Sequence, residues 1–93
     1  MKIMEKIYVF NGEGSILPNA LFSEYELAEN WIKKYSLTGL LTAYPLNIGV
    51  YEWAIEHSNF KVKHEYQKSA GFIQKFTWGD LEHYHFENGE CVS

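Results

Sequence analysis

His83 and His85 stand two residues apart in Leu81-Glu82-His83-Tyr84-His85-Phe86-Glu87-Asn88, a stretch whose side-chain types alternate. On an extended strand residues i, i+2 and i+4 share a face, so His83, His85 and Glu87 point one way and Glu82, Tyr84 and Phe86 the other. Two imidazoles so spaced can face one zinc ion. Glu87 follows two residues further on; a zinc site needs a third and a fourth ligand, and His57 or His64 supplies one only if the fold brings it near. The same stretch carries a second chemistry. Asp80, Glu82, Tyr84, Glu87 and Glu90 make an acidic and aromatic run with no lysine inside it, suited to a basic protein surface. Glu52 and Glu56, the wet edge of an otherwise apolar helix, give a second acidic edge. Nucleophilic catalysis has little to stand on, because Ser23, Ser36 and Ser69 fall in cap or helix-end positions and none sits in a nucleophile elbow. The Asn11-Gly12-Glu13-Gly14 loop lacks both the Gly-Lys-Ser/Thr ending and the Gly-x-Gly-x-x-Gly spacing of phosphate loops. The chain therefore reads as non-catalytic, with no cofactor.

The elements that must position these residues follow from hydrophobic periodicity. Ile7 to Phe10 is apolar on both faces, which predicts an interior strand. Ala20 to Phe22 fits a short strand. Ser23 and Glu26 have the spacing of a capping box, opening a helix over 24–35 whose Ala28, Trp31, Ile32 and Tyr35 share a face. Leu40 to Tyr44 is a strand that Pro45 ends, and Asn47 is placed to cap a helix over 48–57. The run from Gly39 to Ile55 holds one carboxylate, so it reads as the buried centre that the rest of the chain covers. Phe60 to Lys68, with three lysines, reads as a loop. Ser69 caps a short third helix carrying Phe72, Ile73 and Phe76. His83 to Phe86 is the last strand, expected antiparallel to the first, and Asn88-Gly89 closes it as a turn. The expectation is one α+β domain over residues 1–93: a single-layer sheet of three or four strands packed by two main helices and a short third.

Composition narrows the partners. The net charge is −4, and all eight cations are lysines. Arginine is the favoured residue for bidentate phosphate and guanine contacts, so an acidic chain without it is a poor nucleic-acid binder. Cys91 is the only cysteine, which excludes an internal disulfide and fits a reducing compartment. No apolar run approaches the length of a membrane span, and the N-terminal residues lack a signal peptide's apolar run, so a cytoplasmic location with no membrane contact is expected.

Tyr8-Val9-Phe10-Asn11-Gly12-Glu13-Gly14, the helix around Ala28 to Ile32, Leu41 to Ile55, and Glu82 to Gly89 together resemble a family of small uncharacterised bacterial proteins. The likeness spans nearly the whole chain. Its specific parts are Leu41-Thr42-Ala43-Tyr44-Pro45-Leu46 and Glu82-His83-Tyr84-His85. The resemblance implies a compact bacterial α+β domain of unknown function and brings no activity with it.

Two functional readings stand at this point. The first is a cytoplasmic domain that binds another protein through Asp80, Glu82, Tyr84, Glu87 and Glu90, with Glu52 and Glu56 as a second edge. Its most concrete form is an immunity protein neutralising a basic toxin domain, and a homodimer is compatible with it. The second is a small-molecule or metal-binding protein, an enzyme included, using His83 and His85 beside Tyr44 and Tyr51.

Overall fold

The computed structural model describes residues 5–93. Strands β1 (Lys6–Gly12), β2 (Ala20–Phe22), β3 (Gly39–Pro45), β4 (His83–Glu87) and β5 (Glu90–Cys91) form one sheet in the order β2-β1-β3-β4-β5. Helices α1 (Tyr25–Lys34), α2 (Val50–His57) and α3 (Ala70–Gln74) complete it, with a 3-10 turn over Glu65–Lys68. The α+β class matches the expectation, but the sheet has five strands. The addition is β5, and its cause is the Asn88-Gly89 turn. With φ of 51° and 87° at these two residues, the chain reverses within two positions and Glu87 pairs with Glu90.

All neighbouring strands are antiparallel, with β3 in the middle. Because β3 separates β1 from β4, the last long strand runs in the same direction as the first. This corrects the antiparallel arrangement expected of them. Likewise β2 and β3 run together with β1 between them, so α1 joins two parallel strands across an intervening one.

One face of this sheet is covered by α1. Ala28 and Ile32 of the helix are buried against Tyr8, Phe10, Leu41, Ala43 and Phe86, and Trp31 meets Phe10 edge-on at 5.7 Å between ring centres. Each large side chain so removed from water contributes about 1.5–3 kcal/mol, which makes this cluster the main stabilising unit. The β1 expectation of two covered faces fails here. Tyr8 and Phe10 are buried, whereas Ile7 and Val9 on the opposite face are only half-buried.

Both helix starts move relative to the sequence reading. Residue Glu24, extended and without a side-chain cap bond, precedes α1, so Ser23 lies one position too early to close the capping box. Gly49 precedes α2, and Asn47 sits in the left-handed region at φ 65° rather than capping. Ser69 does cap α3, its Oγ accepting from the Phe72 N–H at 3.2 Å. Only Ala54 of α2 is buried, and Ile55 and His57 are exposed, so α2 is no second cover for the sheet. Its Tyr51 instead joins Phe60, Phe72 and Phe76 in an aromatic cluster beside the sheet, with ring centres 5.5–6.3 Å from Tyr51. Trp78 closes that cluster, its indole N–H donating to Ser58 Oγ at 2.8 Å. No helix among the described residues is long and apolar enough to cross a membrane.

Candidate functional site

Alternation along β4 sorts the singled-out residues onto two faces. Tyr84 and Phe86, with Glu82 just before the strand, point to the α1 side, and there Glu82 is drawn into a network. Its Oε1 accepts from Lys6 Nζ at 2.5 Å, its Oε2 accepts from Tyr8 OH at 3.3 Å, and the Tyr84 hydroxyl donates to the same Oε2. Tyr25 from α1 leans on Tyr84, ring centres 4.8 Å apart. Burial alone would raise the Glu82 carboxyl, but the donors Lys6, Tyr84 and Tyr8 outweigh it and hold the carboxyl below its ordinary value. Lys6 is raised in turn, chiefly by its bond to Glu82. The Tyr84 phenol is pushed up to about 12, first by that same carboxylate and then by burial. Glu82 and Tyr84 are therefore committed to the fold, and Lys6, 76 positions away in sequence, supplies the cation that the local acidic run lacked.

Among the described residues, no helix lies over the opposite face of the sheet. Val9, Thr42 and His83 form one row across β1, β3 and β4, and Asn11, Leu40 and His85 form the next. Leu21 and Tyr44 extend the surface at its margins, and both are exposed. Two depressions lie on this face. One of about 630 Å³ is lined by Val9, Leu40, Thr42 and His85 and flanked by the carboxylates of Glu13 and Glu87. The other, of about 310 Å³, runs from His83 and Tyr44 to Trp78. They share Leu40, Thr42, Tyr44 and His85, so they are parts of one continuous surface, and no lysine lines either.

The histidine rings lie 5.6 Å apart and nearly perpendicular. His83 Nδ1 is 2.7 Å from the Leu81 carbonyl. A carbonyl only accepts, so Nδ1 is the donor in this contact. Among the described residues no group of three or more His, Cys, Asp or Glu is placed to hold a metal ion. Neither His57 nor His64 joins the pair: His57 stacks on Trp53 in α2, and His64 stacks on Tyr66.

The remaining singled-out residues scatter. Glu87 and Glu90 face each other at the hairpin end of the open face, both exposed. Asp80 is exposed in the turn at the other end of β4, and Glu52 and Glu56 are exposed on α2. Tyr44 does share the histidine face. Tyr51 does not, since its hydroxyl donates to the Gln67 carbonyl at 2.8 Å inside the aromatic cluster. Sequence reasoning missed Glu13, Val9, Leu40 and Thr42 as surface residues. Their signal was present in the register of β1 and β3, had those strands been read as covered on one face only.

Compared with known proteins, residues 7–92 match the model of a family described as a domain of unknown function (DUF7710). No curated protein and no solved structure matches the chain.

Proposed function

For this chain, which belongs to the DUF7710 family, we propose a non-catalytic role: it binds a protein partner through the open face of its sheet. The observation that carries this reading is the make-up of that face. An apolar centre of Val9, Leu40 and Tyr44 is flanked by Glu13 and Glu87 with no lysine lining it, which is complementary to a partner whose contact surface carries Lys or Arg. Apolar burial would supply affinity and the flanking carboxylates would steer encounter, with an on-rate that falls as salt rises. The specific form we propose is an immunity protein of a bacterial cytoplasm that covers the basic groove of a toxin. The net charge of −4 in a chain without arginine supports that form.

The test is capture of the partner from the native host, followed by binding measurements with Glu13→Lys/Glu87→Lys and with Thr42→Arg in the centre of the face. A partner with a basic toxin domain, bound at least tenfold more weakly by both variants, is the expected result. Binding unchanged in both variants, or weakened instead by Glu52→Lys/Glu56→Lys on α2, would move the contact off the open face and overturn the assignment.

A further inference from the structure

Among the described residues lining the two depressions of the open face, only Glu13, Tyr44, His83, His85 and Glu87 titrate. Near neutral pH a carboxylate stays ionised and a phenol stays neutral, whereas imidazole changes its charge between about pH 5 and about pH 8. Glu90, across the hairpin from Glu87, and Asp80, in the turn before β4, flank this surface and are carboxylates too. Glu82 belongs to the other face, where Lys6 holds it. The two remaining histidines are elsewhere, His57 stacked on Trp53 and His64 on Tyr66. Mild acid therefore alters the charge of the open face through His83 and His85.

The sheet fixes where that charge stands. β4 pairs with β3 on one side, and on the other Val92 N–H donates to the His85 carbonyl at 2.8 Å while His85 N–H donates to the Ser93 carbonyl at 3.1 Å. His83 is steadied further by its 2.7 Å contact with the Leu81 carbonyl. The two imidazoles, both exposed and 5.6 Å apart, end the rows that start at Val9 and Asn11 and pass through Thr42 and Leu40. His85 shares one depression with Val9 and Leu40, and His83 shares the other with Leu40 and Tyr44. A protein seated on that apolar centre thus lies against both rings.

We propose, resting on the open face as the binding surface, that this histidine pair makes the contact pH-sensitive: a partner bearing Lys or Arg is held near neutral pH and released as the medium turns acid. Two effects act with the same sign. Each imidazolium repels the partner's cations, and the two together offset the carboxylates of Glu13 and Glu87. Each ring must also shed water when the partner covers it, which costs more for the charged form than for the neutral one. Reciprocity requires the converse. A partner that prefers neutral rings draws their protonation midpoints to lower pH on binding.

A decalysine peptide titrated into the full chain at about pH 7.5 and about pH 5.5, at one ionic strength and followed by amide chemical shifts, tests the proposal. At the higher pH the shifts should fall around Val9, Leu40 and Thr42, and the dissociation constant should rise about tenfold at the lower pH. His83→Gln/His85→Gln should abolish that rise, with circular dichroism verifying the fold, and His57→Gln/His64→Gln should leave it in place. In the wild-type chain the His83 and His85 ring signals should titrate at lower pH with the peptide bound than without it. Shifts absent from this face at the higher pH would overturn its assignment as the binding surface, and the proposal with it. Equal affinity on this face at both pH values, a rise that survives in His83→Gln/His85→Gln, or ring midpoints unmoved by the peptide would overturn the pH dependence alone.

Discussion

Tyr8 on β1 and Glu82, just before β4, lie on either side of β3, and they meet because the residue between them is Ala43. A larger side chain there would block the reach of Tyr8 and Lys6 across the middle strand. The carboxylate accepts from three donors while about a third exposed, so solvent screening reduces what they are worth. Glu82→Ala is expected to cost about 1–2 kcal/mol in urea unfolding. The pH dependence follows from the shifts. The Glu82 carboxyl is lowered in the folded state, so its contribution is full above the unfolded value of 4.5 and is lost as pH falls through the lower folded value. The Tyr84 phenol is raised to about 12, so its contribution is full below 10.0 and is lost as pH climbs toward 12. Stability should thus decline at both ends, and the alkaline decline should flatten in Tyr84→Phe. Spectrophotometric titration should find Tyr84 and Tyr25 ionising near 12, Tyr25 because burial and then Glu29 oppose its charge.

At the level of elements, Gly39 shows what a strand can require beyond periodicity. A Cβ there would fall 2.4 Å from the Asn11 carbonyl oxygen and 2.7 Å from Phe10 Cζ, and backbone cannot step aside. Gly39→Ala should therefore destabilise by about 1–3 kcal/mol, read by chemical denaturation, even though alanine is ordinarily the better strand residue. Much of the element list was legible: the α1 stripe, the alternation of β4, the Ser69 cap and the Asn88-Gly89 turn are all local patterns. What misled was also local. Ser23 and Asn47 had the right chemistry for caps, but the helices begin at Tyr25 and Val50, where the chain's path from the sheet sets the first turn. The fate of α2 was not legible, because an apolar stripe says that a face is buried without saying against what. Likewise no spacing rule joins Lys6 to Glu82, so the acidic run looked free when only its outer members are.

The whole molecule is a flattened body, 46 × 36 × 20 Å, with a radius of gyration of 15.0 Å against about 12 Å for a compact chain of this length. Two features account for the excess: a sheet covered on one face, and an aromatic cluster set beside it instead of over it. A cluster built on Tyr51, Phe60, Phe72, Phe76 and Trp78 without a fully buried ring has less to lose on opening than the core around Phe10 and Phe86. Hydrogen exchange should show residues 50–78 opening as a unit at lower free energy than β1, β3 and β4. Phe60→Ala should speed exchange in that unit while leaving the central strands protected; uniform exchange across the chain would contradict the division.

The Asn88-Gly89 turn has a consequence for chemical ageing. An asparagine followed by glycine loses ammonia when the glycine nitrogen attacks the side-chain carbonyl, and this chain contains two such pairs, Asn11-Gly12 and Asn88-Gly89. In the fold both attacking nitrogens are already engaged: Gly12 N–H donates to Asn19 Oδ1 at 2.7 Å, and Gly89 N–H donates to the Leu37 carbonyl at 2.8 Å. The two turns differ in what holds them. Gly89 is buried against the end of α1, and Asn88 N–H is tied to Thr38 Oγ1 at 3.0 Å, whereas the Gly12 bond lies exposed at the loop surface. Long incubation at neutral pH, followed by peptide mapping, should therefore find isoaspartate accumulating at residue 11 well before residue 88. The lag at the second site would serve as an internal clock for how often the hairpin parts from the helix.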